Sequence, residues 1–397
     1  MHSFSRKRVF IAACLGMLIF GIVMTVLGSV LPSVILKFDL GKADAGSLFV
    51  LLSMGILAGS LIFGPLVDRF GYKALLIISA VAIIASFQGI AFAPSIDFLR
   101  LSLFISGFAG GTINGGTNAL VSDISVGKRG SRLTYLGVFF GIGAFGVPLL
   151  LGTLLDRFTF EILISGVGIM NALPLIMFVL LRFPSPKHAR GFPLAEGLGL
   201  TKESTLLLFG VILILQSGME MSMGGWTATY FIDVLDVDSH RAVLFLSLFW
   251  FGLMMARGVL GYLLLHIPAV KIVKFSFGLS LIGSVIMLSS TNPLTGVIGT
   301  VITGIGFAAI FPVILAFVGD IYAKFSGTAF SIVLSMALIG GMFVPWIIGI
   351  VAETHGLRTG LLIIPVSILA AMLVFRIITK RTEKAEAAAV SIPESGT

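Results

Sequence analysis

Charged side chains are scarce in this sequence of 397 residues. Asp, Glu, Lys and Arg together make up 11% of the chain, whereas hydrophobic residues make up 57%. A typical soluble domain carries about 25% charged residues. So few charges cannot cover the surface of a soluble fold, and the composition therefore favours a protein that lies within a membrane.

Residues that build catalytic, metal or nucleotide sites are also few. Cys14 is the single cysteine, which excludes an intramolecular disulfide and a cysteine-based metal site. The five histidines stand in loops or at the ends of apolar runs without metal-ligand spacing, and no phosphate-binding P-loop occurs. We therefore expect no enzyme activity, no cofactor, no metal and no ATP-driven step.

Apolar stretches of membrane-spanning length are abundant instead. Twelve lie between residues 8 and 379, each of about 20 residues or more, which is enough to cross roughly 30 Å of hydrocarbon as a helix. An even number places both termini on one side, and most Lys and Arg lie in the loops of that side. By the positive-inside rule, both termini are cytoplasmic in a multi-pass plasma (inner) membrane protein. The net charge of +8 thus reflects topology and does not indicate nucleic-acid binding.

A polar, proline-containing segment divides the chain into two similar parts. Residues 183–203 are predicted to form a cytoplasmic linker between six-helix bundles at 1–182 and 204–382. Residues 383–397, rich in Ala, Glu, Ser and Gly, have little apolar mass to bury and are predicted to be a disordered tail.

The two parts match each other at a fixed offset of 197 positions. Paired residues include scarce types, so chance is a poor explanation: Asp123 with Asp320, Pro148 with Pro345, Gly28 with Gly225 and Gly107 with Gly304. Each part has an even number of helices, so the two parts are parallel repeats about an axis along the membrane normal. This architecture predicts a central solute site that rocking of the two bundles exposes to either side.

The loop after the second predicted helix carries a recognisable motif. It runs Gly-Pro-Leu-Val-Asp-Arg-Phe-Gly-Tyr-Lys over residues 64–73 and strongly resembles the signature of the major facilitator superfamily. The resemblance covers essentially the whole chain and implies the twelve-helix major facilitator fold. The equivalent loop of the second repeat has Leu265 and His266 in place of Asp68 and Arg69, so we expect any locking by this motif to be stronger on the N-terminal half.

Two further stretches, residues 110–118 and 218–226, resemble the fucose, galactose and glucose proton symporters. This resemblance implies proton-coupled sugar uptake. Members of that family often carry an acid four residues before an asparagine of helix 4, and here Asn114 holds that place ahead of Asn118.

Glu220 is the only acid that we place at mid-membrane depth. A carboxylate there is costly unless it is paired or protonated, which makes it a functional candidate. We predict that Glu220 is the proton-coupling group. The alternative is a protonated side chain with only a structural hydrogen bond to a neighbouring helix.

Several polar side chains in the predicted helices can hydrogen-bond a hydroxylated solute. Amide, hydroxyl and indole groups at helical spacing can face a cavity, and the solute-binding candidates are Gln216, Trp226, Thr227, Asn114, Asn118 and Thr25. Four of these six residues have a structural alternative. Trp226 could anchor the membrane interface, the two Asn could bond another helix, and Thr25 could bond its own backbone.

Charges near the cytoplasmic helix ends are gating candidates. We predict that ion pairs among them close that face, and the candidates are Asp68, Arg69, Asp123, Arg257 and Asp320. The alternative is that they are solvated charges that only fix topology.

The leading hypothesis is a secondary active transporter that imports a small hydroxylated solute, a sugar in the first instance, together with a proton. A sodium ion could replace the proton, and we expect a monomer in the lipid bilayer. The first rival is an efflux antiporter for drugs or amphiphilic metabolites, with a cavity lined by Phe249, Trp250, Phe307 and Phe311. The second is a non-transporting membrane receptor, which would need a signalling module that the linker and tail do not provide.

Overall fold

The computed structural model describes residues 4–125, 129–184, 203–322 and 326–390, and every regular element in these ranges is a helix. The helices in chain order are α1 (Arg6–Phe38), α2 (Lys42–Ala91), α3 (Ile96–Ile124), α4 (Arg129–Leu154), α5 (Phe160–Met170), α6 (Ala172–Leu180), α7 (Ser204–Leu235), α8 (Ser239–His266), α9 (Ala269–Ser289), α10 (Pro293–Ile321), α11 (Ser326–His355), α12 (Leu357–Leu361) and α13 (Ile363–Val390).

Eleven helical stretches of the described residues are long and apolar enough to cross a membrane. One of them, α2, has 50 residues, and its helical dihedral angles are interrupted at Gly71, which has φ 78° and ψ 163°. A positive φ of this kind is adopted readily only by glycine. The predicted second and third spans thus follow each other through one residue, without the loop that we expected there.

The predicted linker and tail lie only partly within the described ranges, because residues 185–202 and 391–397 are outside them. We expected no regular structure after residue 382. In the structure, however, α13 continues to Val390. Its last part is rich in Ala, Glu and Lys, which are strong helix formers, so helix propensity extends the element beyond the apolar stretch.

Local sequence signals set several helix ends. The side chains of Ser95 and Asn292 accept hydrogen bonds from the backbone N–H groups of Phe98 and Thr295 and so cap α3 and α10. At the other ends of α1 and α7, Asp39 and Asp236 adopt left-handed conformations that stop the helices. The turns that follow bring the next helix back across the molecule.

The helices form two packed groups, α1–α6 and α7–α13. Within the first group α1 packs on α3 and α4, and within the second α7 packs on α11 and α13. The groups meet where α2 contacts α11, α4 contacts α8 and α1 contacts α7. Backbones approach closely at the last of these, since a Cβ on Gly28 would lie 1.9 Å from the carbonyl oxygen of Gly224.

Two faces of the molecule are distinguished by chain direction. The terminal face is where α1 and α7 begin and where α2 is interrupted at Gly71. The far face is formed by the short connections at 39–41, 92–95, 155–159, 236–238, 290–292 and 356. The site described below lies between these faces.

Candidate functional site

An ion pair lies in the middle of the helical layer. Glu220 is at the midpoint of α7, and its Oε2 lies 3.5 Å from a guanidinium nitrogen of Arg257 on α8. The two side chains are 15% and 26% exposed. Both charges are therefore largely removed from solvent, where a lone charge is costly and a paired one is tolerated.

The proline of α10 explains how Arg257 is held. Pro312 has no backbone N–H, so it cannot donate the helical hydrogen bond to the carbonyl of Ala308 four residues earlier. The Nε of Arg257 donates to that carbonyl at 3.3 Å. The guanidinium is thus fixed between the α10 backbone and the Glu220 carboxylate.

This placement corrects one of the gating predictions. We expected Arg257 to pair with acids at the helix ends of the terminal face, but its side chain reaches Glu220 instead. The pairing joins residues 37 positions apart on two helices, and sequence reasoning missed it. Arg257 itself stands within an apolar run, so the rule that marks Glu220 as an intramembrane charge also marks Arg257.

Several buried polar atoms lie on the two helices that carry the pair. Gln216, one turn before Glu220, is buried and its Nε2 donates to the Phe307 carbonyl at 3.5 Å. Its Oε1, the Thr227 Oγ1 and the Trp250 Nε1 have no hydrogen-bond partner within the described part of the chain. An unsatisfied buried polar group costs about 1–3 kcal/mol, so a rearrangement that gave these atoms a hydrogen-bond partner would be favourable.

Trp226 contacts other protein groups in this structure, whereas we predicted that it binds the solute. It is fully buried, and its Nε1 donates to the carbonyl of Pro345 on α11 at 3.0 Å. Its ring packs on Phe49 of the other group, with centroids 6.2 Å apart. Trp226 is therefore neither an interfacial anchor nor a free donor in this conformation, because its N–H is already occupied.

The polar residues of α1 and α3 are engaged mainly with one another or their own helix. The Thr25 hydroxyl donates to the Gly21 carbonyl at 3.1 Å, as the structural alternative proposed. The Nδ2 of Asn118 donates to the Oδ1 of Asn114 at 3.0 Å. Both Asn side chains are partly exposed, so they retain donors and acceptors for a further partner.

The remaining gating candidates lie at the terminal face. Asp68, Arg69 and Asp320 are exposed, and the guanidinium of Arg69 lies 5.2 Å from the centroid of the Phe70 ring. Asp123 is partly buried and accepts a hydrogen bond from the Tyr72 hydroxyl at 2.8 Å. The Asp123 contact stays within the first helix group.

A polar lock joins the two groups at the far face. The Nζ of Lys42 lies 2.5 Å from the Asp233 carboxylate of α7. The Glu353 carboxylate of α11 accepts from the backbone N–H groups of Lys42 and Ala43, the second at 3.2 Å. Glu353 thus caps the first turn of α2 from the other group, a role that an acid fills well at a helix N-terminus. We call Lys42, Asp233 and Glu353 the far-face lock.

Sequence reasoning missed the far-face lock. Its three residues stand at helix ends where single charges are ordinary topology signals, and they are brought together only because the start of α2 packs on α11 and reaches α7. No spacing in the sequence indicates this contact.

Comparisons with known proteins bear on the whole chain. Residues 13–293 and 244–395 match the Major Facilitator Superfamily. The chain is 27% identical to an uncharacterised transporter, y4wD of Sinorhizobium fredii, and the match covers 86% of this chain and 91% of the relative. It is 20% identical to the glucose/mannose transporter GlcP of Bacillus subtilis, over 83% of this chain and 84% of that protein.

Solved structures show the same fold. A D-xylose-proton symporter superposes with a TM-score of 0.74 at 16% identity, covering 93% of this chain and 97% of the symporter. The long apolar helices and these relatives make the protein a multi-pass integral membrane protein. Since the family match spans nearly the entire sequence, the chain is a transporter that belongs to the Major Facilitator Superfamily.

Proposed function

We propose that this protein moves a small hydroxylated solute, with sugars as the favoured class, across the membrane by alternating access in symport with a proton. The observation that carries the proposal is the Glu220–Arg257 pair, a titratable acid held by a fixed cation in the middle of the helical layer. An acid in this position can exchange a proton with either side as the two helix groups move.

Equivalent structural features at the 197-residue offset support two tandem repeats. The left-handed residues Asp39 and Asp236 are 197 apart, and so are the capping residues Ser95 and Asn292. Contacts repeat as well. A Cβ on Gly55 would meet the carbonyl of Phe104, and one on Gly252 would meet that of Val301.

The same offset supports twelve spans. The interruption of α2 at Gly71 corresponds to Pro268, which stands at the start of α9. Residues 42–70 and 72–91 of α2 then correspond to the separate helices α8 and α9. Counting α2 as two spans gives six in each repeat, with both termini on the side that the basic loops assign to the cytoplasm.

The conformation favours access from the terminal face. Contacts between the two groups lie at mid-depth, where the rings of Phe145 and Phe251 are 5.4 Å apart, and at the far face, where Gly46 approaches Trp346. The far-face lock adds charge pairing at the same level. In contrast, a Cβ on Gly64 of α2 or on Gly261 of α8, both near the terminal face, would meet no atom within 4 Å.

The pair suggests how a proton is coupled to solute movement. While Glu220 is charged, Arg257 balances it. Protonation of Glu220 removes that attraction and leaves a neutral carboxyl one helical turn from Gln216, whose Oε1 is unsatisfied. A solute hydroxyl can then bond these groups, so proton and solute binding favour each other.

Polar atoms on the helices that carry the pair favour a hydroxylated solute over an amphiphile. Of the four aromatic residues expected to line an efflux cavity, Phe311 is partly buried, whereas Phe249, Trp250 and Phe307 are fully buried. The Phe249 ring centroid lies 5.1 Å and 6.2 Å from those of Trp250 and Phe307. These three residues form core in this conformation. Gln216 and Thr227 are equally buried, but their unsatisfied oxygens can bond hydroxyl groups of a solute when the helices move apart.

A thermal-shift screen of the purified protein tests the solute class. A ligand that binds only the folded state raises the apparent melting temperature, and a concentration of 100 Kd stabilises by about 2.7 kcal/mol. We expect D-glucose, D-mannose or D-xylose to raise it. Stabilisation by amphiphilic cations alone would favour the efflux antiporter and contradict the proposal.

The far-face lock gives a second prediction. Glu353→Gln weakens the cap on α2 by about 1 kcal/mol, which shifts a two-state equilibrium roughly fivefold toward a conformation open at the far face. The reporter is Ser29→Cys in a Cys14→Ala background, since Ser29 is buried beside the Gly28–Gly224 contact. We expect faster labelling by an impermeant maleimide from the far face.

The matched control for the far-face lock is Glu161→Gln, because Glu161 pairs with Lys37 inside the first helix group. It removes a far-face acid without touching the contact between groups. Equal labelling rates in the two variants would show that Glu353 does not hold the far face closed.

A further inference from the structure

A groove of about 400 Å³ lies on the outer side of the second helix group, between α8, α9 and α10. Its walls are almost entirely apolar and include Ala256, Leu260, Phe275, Ile305 and Ala309. Phe275 and Ile305 are exposed, so the groove opens toward the surroundings of the helices. The Arg257 side chain points the other way, to Glu220.

The first helix group shows why the groove exists. At the offset of 197, Ala256 and Ala308 correspond to Gly59 and Gly111. A Cβ on Gly59 would lie 2.1 Å from the Phe108 carbonyl oxygen, and one on Gly111 would lie 2.2 Å from that of Ile56. The second group carries these methyl groups, so its helices cannot approach as closely.

A hydrogen bond that joins two helices of the first group also has no equivalent in the second group. The hydroxyls of Ser79 and Thr112 are 3.0 Å apart and tie their helices together. Their counterparts are Ser276 and Ala309, and alanine offers no hydroxyl. Both counterparts line the groove.

Basic residues stand at one end of the groove. Lys271, which lines it, and Lys274 are exposed on the first turns of α9 at the terminal face. Their counterparts in the first group, Ala74 and Ile77, are uncharged. From Ile267 to Ala256 along α8, the groove is about 16 Å long at 1.5 Å per residue, close to half of the roughly 30 Å hydrocarbon core.

We infer that this groove is a binding site for an anionic phospholipid. One acyl chain lies against Leu260, Phe275 and Ile305, and the phosphate is bound by Lys271 and Lys274. The length matches one leaflet, and the positive charge is at the membrane surface where anionic headgroups lie. The bound chain also contacts Ala308, whose carbonyl accepts from Arg257, so the lipid supports the backbone that positions the central ion pair.

Native mass spectrometry of the full chain in detergent tests this inference, with phosphatidylglycerol and phosphatidylcholine as probes. We expect the wild type to retain phosphatidylglycerol preferentially. The Lys271→Ala/Lys274→Ala variant should bind it about tenfold more weakly or worse, because each basic residue near an anionic surface contributes to attraction. The control is Arg376→Ala/Lys380→Ala, which removes the same charge from exposed positions of α13 and should leave binding within about twofold.

A second variant tests the acyl-chain part of the site. Ala309→Leu fills the groove and leaves both lysines in place, so we expect it to lose bound phosphatidylglycerol as well. The proposal is overturned if either the double-lysine variant or the groove-filling variant binds phosphatidylglycerol as tightly as the wild type does. It is also overturned if the wild type retains phosphatidylglycerol and phosphatidylcholine equally.

Discussion

Replacing Glu220 with glutamine should abolish accumulation of solute against its gradient while leaving solute exchange in place. Glutamine keeps the shape and hydrogen-bonding capacity of the side chain but cannot release or take up a proton. With one proton per solute, a gradient of one pH unit sustains roughly tenfold accumulation. The Glu220→Gln variant should only equilibrate the solute across the membrane.

Uptake of radiolabelled sugar into proteoliposomes, with and without an imposed pH gradient, measures this effect. Counterflow with the gradient collapsed reports exchange separately. Glu161→Gln is the control, because it neutralises an acid of the far face that is remote from the pair. Undiminished accumulation by Glu220→Gln would refute its coupling role, whereas loss of folding would support the structural alternative.

Replacing Arg257 should also have a large effect, because it leaves the Glu220 carboxylate without its cation. A partly buried charge that loses its partner destabilises the folded protein unless it becomes protonated. We expect Arg257→Gln to lower the apparent melting temperature at neutral pH and to impair gradient-driven accumulation. The Glu220→Gln/Arg257→Gln double variant should recover much of the lost stability, since no charge is then left unpaired.

A double-mutant cycle on thermal unfolding measures the coupling between the two side chains. Residues in direct contact show coupling energies of about 0.5–3 kcal/mol, and we expect a value inside this range. Arg241→Gln is the control on the same helix, because Arg241 pairs with Asp238 at an exposed position. Additive losses in the double variant would mean that the pair contributes little.

Hydropathy was sufficient to predict an all-helical membrane protein. A segment that crosses hydrocarbon must form a long apolar helix, and this requirement does not depend on how the helices pack. The connection at Gly71 was not predictable in this way. The motif at residues 64–73 suggests a loop, but one glycine with positive φ suffices to redirect the helix.

The site was only partly predictable, for a different reason. Glu220 could be selected because a single acid in an apolar run is costly and needs an explanation. Its partner, the bond from Trp226 to Pro345 and the far-face lock join residues 37, 119 and about 310 positions apart. These contacts depend on how the helices pack, and local patterns carry no information about them.

Proton movement during sugar transport tests the central claim most directly. Proteoliposomes that contain a pH-sensitive dye, with no imposed gradient, are given D-glucose, D-mannose or D-xylose outside. Coupled transport predicts that the lumen acidifies as the sugar enters through the wild type and that no acidification occurs with Glu220→Gln. Sugar entry through the wild type without any change in lumen pH would contradict proton symport.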